Sequence, residues 1–354
     1  MLPTIPRRLI GYGAYNLCFD TLLGRRTNDP REPNLFQRMR AEGWPVNLVK
    51  VIIFRNAGIE GLTPQAFPGR RVTLYDSNRE INEAFLVNLG ALVDAAAAVS
   101  PKFYVQVCIH NYHAVKYLEE QPENAPLVLQ PNFGDFLVHR LRKFFSPSLD
   151  ARSHLQKQLV AALGQTLKGK TNVLWELANE VRIDGQHEAG EDAEAHNDNS
   201  NLVGWLSQMR QALIDNTGPD IHVTTSTGYY MQQTTGEILN EQITMRHLPV
   251  TFFDFHSGQW DFPFEGNPPK QVEDYQFGIR TSKERASGYN PNAFLIINDD
   301  GLHDDHRTAP NIGQWSLAAF QRGLHYSTKS PYPPAKDLSS QVLQALKTSN
   351  NSVP

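Results

Sequence analysis

Asn172-Val173-Leu174-Trp175-Glu176-Leu177-Ala178-Asn179-Glu180 is an apolar run that ends in an amide and a carboxylate. Its near-continuous hydrophobic character reads as a strand buried on both faces, as the strands of a parallel sheet are. The pattern predicts a strand over 172–178 that delivers Asn179 and Glu180 at its C-terminal end. On either side lie helical patterns. Leu155, Leu159, Ala162 and Leu163 share one face of a helix over 149–167, and a second helix is expected over 202–216, where Gly218 and Pro219 stop it. A polar, acidic loop over 184–200 separates strand from helix.

The same alternation runs along the whole chain. Further strands are expected at 8–15, 47–54, 103–109, 221–226, 250–255, 293–298 and 323–328. Further helices are expected at 34–42, 81–99, 133–145, 235–244, within 271–287, at 312–322 and at 336–347. Eight strands alternating with helices predict an α/β fold, a closed (β/α)8 TIM barrel forming a single catalytic domain over 1–354. The competitor is a doubly wound open sheet. It is disfavoured because Gly11-Tyr12-Gly13 is not a G-x-G-x-x-G turn and no Walker-type loop occurs. In a barrel the strand C-termini carry the chemistry, and the polar residues of this sequence cluster there.

Bulk properties narrow the function classes. Hydrophobic residues make up 40% and charged residues 20% of 354, and the net charge is 33 − 37 = −4. So small a charge argues against nucleic acid as the main partner. No apolar run reaches the ~18 residues that span a bilayer, and no signal peptide is read at Met1 to Arg8. A cytoplasmic protein with no membrane or nucleic-acid partner is expected; its oligomeric state is not legible. The two cysteines, Cys18 and Cys108, are expected to be free thiols in or near strands.

Glu180 is the leading candidate for chemistry. Cleaving a glycosidic bond takes an acid that protonates the leaving oxygen and a second carboxylate nearby. The acid must stay protonated near neutral pH, which an apolar surround favours, and Val173, Leu174, Trp175 and Leu177 offer one. Asn179 is a neutral group able to hydrogen-bond a sugar hydroxyl.

The run Asn172 to Glu180, together with Leu163 to Thr171 before it, resembles the fourth-strand signature of the clan A glycoside hydrolases, family 5 in particular. The resemblance spans roughly residues 8–330. It implies that Glu180 is the acid/base and that Asn179 contacts the substrate 2-hydroxyl. It further implies site roles for Arg55 after strand two, His110 at the end of strand three and His256 at the end of strand six. No cofactor and no metal are implied.

Strand seven departs from that family. Its nucleophile is a Glu shortly before a Gly, whereas here the run is Phe294-Leu295-Ile296-Ile297-Asn298-Asp299-Asp300-Gly301. Register on the glycine puts Asp299 at the nucleophile position. Alternation is expected to place Leu295, Ile297 and Asp299 on the barrel-facing side, which prefers Asp299 over Asp300. An aspartate is one methylene shorter, which draws its carboxylate back by about 1.3–1.5 Å. Retaining enzymes hold their carboxyls about 5–5.5 Å apart and inverting ones about 6.5–9.5 Å, so the expected spacing falls between the classes. The expected activity is a retaining O-glycosidase (EC 3.2.1.-) with Glu180 as acid/base and Asp299 as nucleophile. An inverting enzyme with Asp299 or Asp300 as base is the alternative, as is a non-catalytic carbohydrate-binding barrel.

Two further features belong to the same rim. The run Asp299 to His306 has carboxylate and imidazole groups of metal-ligand type, but the His-x-His that barrel metallohydrolases carry after strand one is missing at Tyr12 to Asn16. Tyr229, Tyr230, Trp260, Phe262, Phe264 and Tyr326 are aromatic, and sugars stack their C–H faces on such rings. Trp260 and Tyr229 are the expected substrate contacts among them, for an oligo- or polysaccharide.

Overall fold

A computed structural model describes residues 1–53, 69–78, 80–111, 151–179, 199–225, 249–256, 283, 287–288, 290–299, 308–329 and 338–354. Eight strands are present: β1 (Ile10–Gly13), β2 (Leu48–Ile52), β3 (Tyr104–Asn111), β4 (Val173–Asn179), β5 (His222–Thr224), β6 (Phe252–His256), β7 (Phe294–Asn298) and β8 (His325–Lys329). Six helices are described: α1 (Leu35–Ala41), α2 (Glu83–Ala98), α3 (Ala151–Thr166), α4 (Asn199–Thr217), α5 (Ala309–Gln321) and α6 (Ser340–Asn351). Each expected strand is present within a few residues of its predicted bounds. The largest difference is at the first, which is shorter because the chain turns into a 3-10 turn at Leu17–Phe19. The helices expected at 133–145 and 235–244 lie outside the described residues, as does most of 271–287.

The strands run parallel in the order β5-β4-β3-β2-β1-β8-β7-β6. The two ends of that order meet at Thr251, just before β6. Its N–H donates to the Val223 carbonyl at 2.9 Å, and its hydroxyl accepts from the Val223 N–H at 2.8 Å. This seam brings the sheet round into a (β/α)8 barrel, the predicted fold.

Local chemistry fits each element. Asn34 caps α1 by accepting from the Gln37 N–H, while the Gln37 side chain accepts from the Asn34 N–H, a reciprocal capping box. Gly43, in the left-handed region at φ +67°, follows its end, as the sequence predicts. Cys18 and Cys108 are both free and buried.

Two apolar layers result from the period-two alternation of the strands. Val49 and Val51 of β2, Val105, Val107 and Ile109 of β3, Val173, Trp175 and Leu177 of β4, Phe253 and Phe255 of β6, and Leu295 and Ile297 of β7 pack outward against the helices. The opposite faces meet inside the barrel. There Leu9, Leu48, Tyr104, Leu174, Phe252 and Ile296 form a separate floor, with Ile5 and Phe294 against it. The N-terminal segment closes this end: the Tyr104 hydroxyl donates to the Thr4 carbonyl and His222 Nε2 to the Pro3 carbonyl. The floor is therefore filled by side chains and plugged by chain, and barrel enzymes carry their chemistry at the opposite face, the C-terminal ends of the strands.

Candidate active site

The barrel interior changes character one level above the floor. Lys50 of β2, Gln106 of β3, Glu176 of β4 and Asp254 of β6 point inward at the strand centres and are all at most 1% exposed. Lys50 Nζ lies 2.8 Å from Glu176 Oε2, 3.0 Å from Asp254 Oδ2 and 2.9 Å from Asn179 Oδ1. Gln106 Nε2 donates to the same two carboxylate oxygens, at 2.9 Å to Glu176 and 2.6 Å to Asp254. Burial and the neighbouring Glu176 carboxylate push the Cys108 thiol well above its ordinary pKa, so it stays protonated. Buried charges persist only when paired and hydrogen-bonded, and here the pairing is mutual.

None of these four residues is among the site candidates expected from the sequence, although the sequence carries a signal for them. Each member interrupts an apolar strand: Val49-Lys50-Val51, Val105-Gln106-Val107, Trp175-Glu176-Leu177, Phe253-Asp254-Phe255. A polar residue flanked on both sides by apolar ones, in a strand with helices on one face, marks the inward face.

Asn179 sits above the cluster. Strict alternation would turn it toward the helices with Val173, Trp175 and Leu177. Instead the strand changes phase: Leu177 and Ala178, two successive residues, both pack in the helix-side cluster. Asn179 then turns inward to Lys50. The neighbouring strand follows, with His110 paired to Ala178 and Asn111 to Asn179. Such phase changes re-aim a side chain at the rim of a sheet.

His110 is fully buried. Its ring meets Trp205 of α4 edge-on at 5.0 Å between centroids, and its Nδ1 lies 3.1 Å from the Leu177 carbonyl. Burial pulls its pKa down to about 4, partly offset by that carbonyl. These contacts belong to the seam between barrel and helices. His256 closes β6 opposite Asn298.

The face expected for Asp299 is corrected by the structure. Leu295 and Ile297 pack against the helices, while Ile296 belongs to the floor inside. Asp299 follows the helix-side parity. Its N–H donates to the Ser327 carbonyl, continuing the β7–β8 ladder. Its Oδ2 accepts from the Tyr326 hydroxyl at 2.7 Å, and the Tyr326 ring packs edge-on against Phe320 of α5. The expectation failed because Phe294 to Ile297 are apolar on both faces, so alternation fixes that neighbours oppose each other but not which face is inside. Asn298, 1% exposed, holds the inward parity at the top of β7.

Glu180, Asp300, Arg55, Trp260 and Tyr229 lie outside the described residues. Of the predicted site residues, then, the structure describes the side chains of Asn179, His110 and Asp299. Among the described residues no group of three or more His, Cys, Asp or Glu side chains is arranged to hold a metal ion, and no helix is long and apolar enough to cross a membrane.

No protein-family model matches the sequence, and no curated protein matches it. Solved structures do. The hyperthermostable endo-1,4-β-D-mannanase from Thermotoga petrophila aligns over 97% of this chain and 99% of its own, at 12% identity and a TM-score of 0.60. A family 5 xyloglucanase from Paenibacillus pabuli aligns over 97% and 98%, at 11% identity and a TM-score of 0.55. A family 5 xyloglucanase from Bacteroides ovatus, solved with a heptasaccharide, aligns over 97% of this chain and 74% of its own, at 15% identity and a TM-score of 0.51. At these identities the likeness is one of fold: the chain is built on the same (β/α)8 barrel as these glycan-cleaving enzymes.

Proposed function

We propose that this chain is a glycoside hydrolase that cleaves an O-glycosidic bond of an oligo- or polysaccharide at the C-terminal rim of the barrel. The observation that carries the reading is Asn179, turned into the barrel at the end of β4 and held there by Lys50, with Glu180 the next residue. The barrel likeness to mannan- and xyloglucan-cleaving enzymes supports the same reading.

In this mechanism Glu180 protonates the leaving oxygen as the bond breaks, and Asn179 binds a sugar hydroxyl beside it. The second carboxylate comes from the Asp299–Asp300 pair. Of the two, Asp299 follows the helix-side parity of Leu295 and Ile297 and is engaged by Tyr326. Asp300 is therefore the favoured partner. It either attacks the anomeric carbon, giving retention, or activates water, giving inversion.

The test is release of reducing ends from β-1,4-glucan, β-1,4-mannan and xyloglucan. The wild type is expected to cleave at least one, Glu180→Gln to lose at least roughly 1,000-fold in kcat, and Asp300→Asn to lose more than Asp299→Asn. NMR of the first-formed anomer separates retention from inversion. A larger loss in Asp299→Asn would return the role to Asp299. A second reading rests on Asn298, a neutral amide at the inward top of β7: a carbohydrate-binding barrel without turnover. Saturable binding of these glycans with no reducing ends released would establish it.

A further inference from the structure

Lys50 presents three N–H donors and has three acceptors around it, Glu176 Oε2, Asp254 Oδ2 and Asn179 Oδ1, all between 2.8 and 3.0 Å. The two carboxylates are cross-tied by Gln106. The ammonium is thus fixed from three sides in the middle of the barrel, and its third bond reaches up to the rim. A lysine only donates, so the Asn179 amide is oriented: its oxygen faces Lys50, and its NH2 is the group directed elsewhere. Asn179 also lies just past the phase change of β4, where Leu177 and Ala178 both pack outward. The Lys50 contact sits at the point where the chain departs from regular alternation, one residue before Glu180.

We propose that Lys50 is a positioning residue for the reaction: by holding Asn179 Oδ1 it fixes the end of β4, one residue before Glu180 in the sequence, and commits the Asn179 amide to act as a hydrogen-bond donor toward substrate. This rests on the glycosidase reading above. Glu176 and Asp254 serve to hold the ammonium and take no part in bond cleavage.

Lys50→Met alone would strand two buried carboxylates and unfold the barrel, so the variant to make is Lys50→Met/Glu176→Gln/Asp254→Asn, which removes the three charges together. On a polysaccharide the wild type cleaves, kcat is expected to fall roughly 10- to 100-fold with KM within roughly 3-fold, the signature of misplacement rather than lost binding. Adding Asn179→Ala to that triple variant should cost far less than the same change in the wild type, because the contact is already gone. Asn179→Asp, which keeps an oxygen for Lys50 but has no NH2, is expected to lose kcat as fully as Asn179→Ala while its urea midpoint stays at or above that of Asn179→Ala. That variant tests the committed amide even where the triple variant does not fold. Wild-type kcat in the triple variant or strict additivity with Asn179→Ala would overturn the positioning role of Lys50, and an active Asn179→Asp enzyme would overturn the committed amide donor. A wild type that cleaves none of the polysaccharides overturns the glycosidase reading first, and this inference with it.

Discussion

The Tyr326 hydroxyl reaches Asp299 from the helix side of β8, in a setting where both residues are fully buried. A buried carboxylate that loses a donor forfeits the bond and keeps its desolvation cost. Tyr326→Phe is therefore expected to lower unfolding stability by about 1–3 kcal/mol, read as a shift in the urea midpoint at unchanged slope. A midpoint within experimental scatter of wild type would show that the phenol is not what satisfies Asp299. At this scale the expected facing of Asp299 fails for a physical reason that the reading of Asn179 did not meet. Asn179 was found from the identity of its run, without asking which way it faced. Asp299 was chosen by facing, and facing was argued from a strand apolar on both sides. A phase change such as the one at Leu177 and Ala178 is likewise invisible in the letters, because neither residue departs in character from its neighbours.

The strands themselves were readable almost to the residue, and so was the meaning of Gly11-Tyr12-Gly13 as something other than a phosphate turn. The structure supplies the positive reason for the first glycine. Gly11 pairs with Leu48 of β2 on one side and Ser327 of β8 on the other. A Cβ built there would stand 2.5 Å from Ser327 Oγ and 2.7 Å from its Cβ. Tyr12, the neighbour, points outward and meets Trp44 edge-on. So β1 presents a bulky residue to the helices and none to the interior, where β8 fills the space. Gly11→Ala should overpack this point and cost about 1–3 kcal/mol. Gly11→Ala/Ser327→Gly removes both clashing atoms of Ser327 and should recover part of the loss, in a urea-unfolding cycle whose coupling exceeds about 0.5 kcal/mol. Additive effects would mean that the two strands do not meet as described. The polar centres of β2, β3, β4 and β6 carried a comparable message, since only an inward face lets a charge share a strand with so many valines and phenylalanines.

Among the described residues, the two edges of the sheet meet at Thr251, and the floor of the barrel is plugged by its own N-terminal segment. The plugged end is built on neutral histidines. His325 Nδ1 accepts from the Leu9 N–H at 2.8 Å, and its ring stands edge-on to Phe294, which stacks on Phe252. Protonating that nitrogen would set N–H against N–H in an apolar surround, and burial, with Arg8 adding repulsion, holds its pKa at about 4. His110, between barrel and α4, is held at about 4 by burial. Both values lie below the ordinary 6.5, so the unfolded chain takes up protons first as the pH falls. The stability these rings contribute is complete above about pH 6.5 and drains away as the pH drops toward 4. One pKa unit corresponds to about 1.4 kcal/mol, so moving from pH 7 to pH 5 should cost about 2 kcal/mol for each histidine. His325→Asn keeps an acceptor for the Leu9 N–H and cannot titrate. Its urea midpoint should therefore fall less far than that of the wild type between those two pH values. An equal fall in both proteins would mean that His325 is already charged in the folded barrel, or that its proton is not what the N-terminal strand entry depends on.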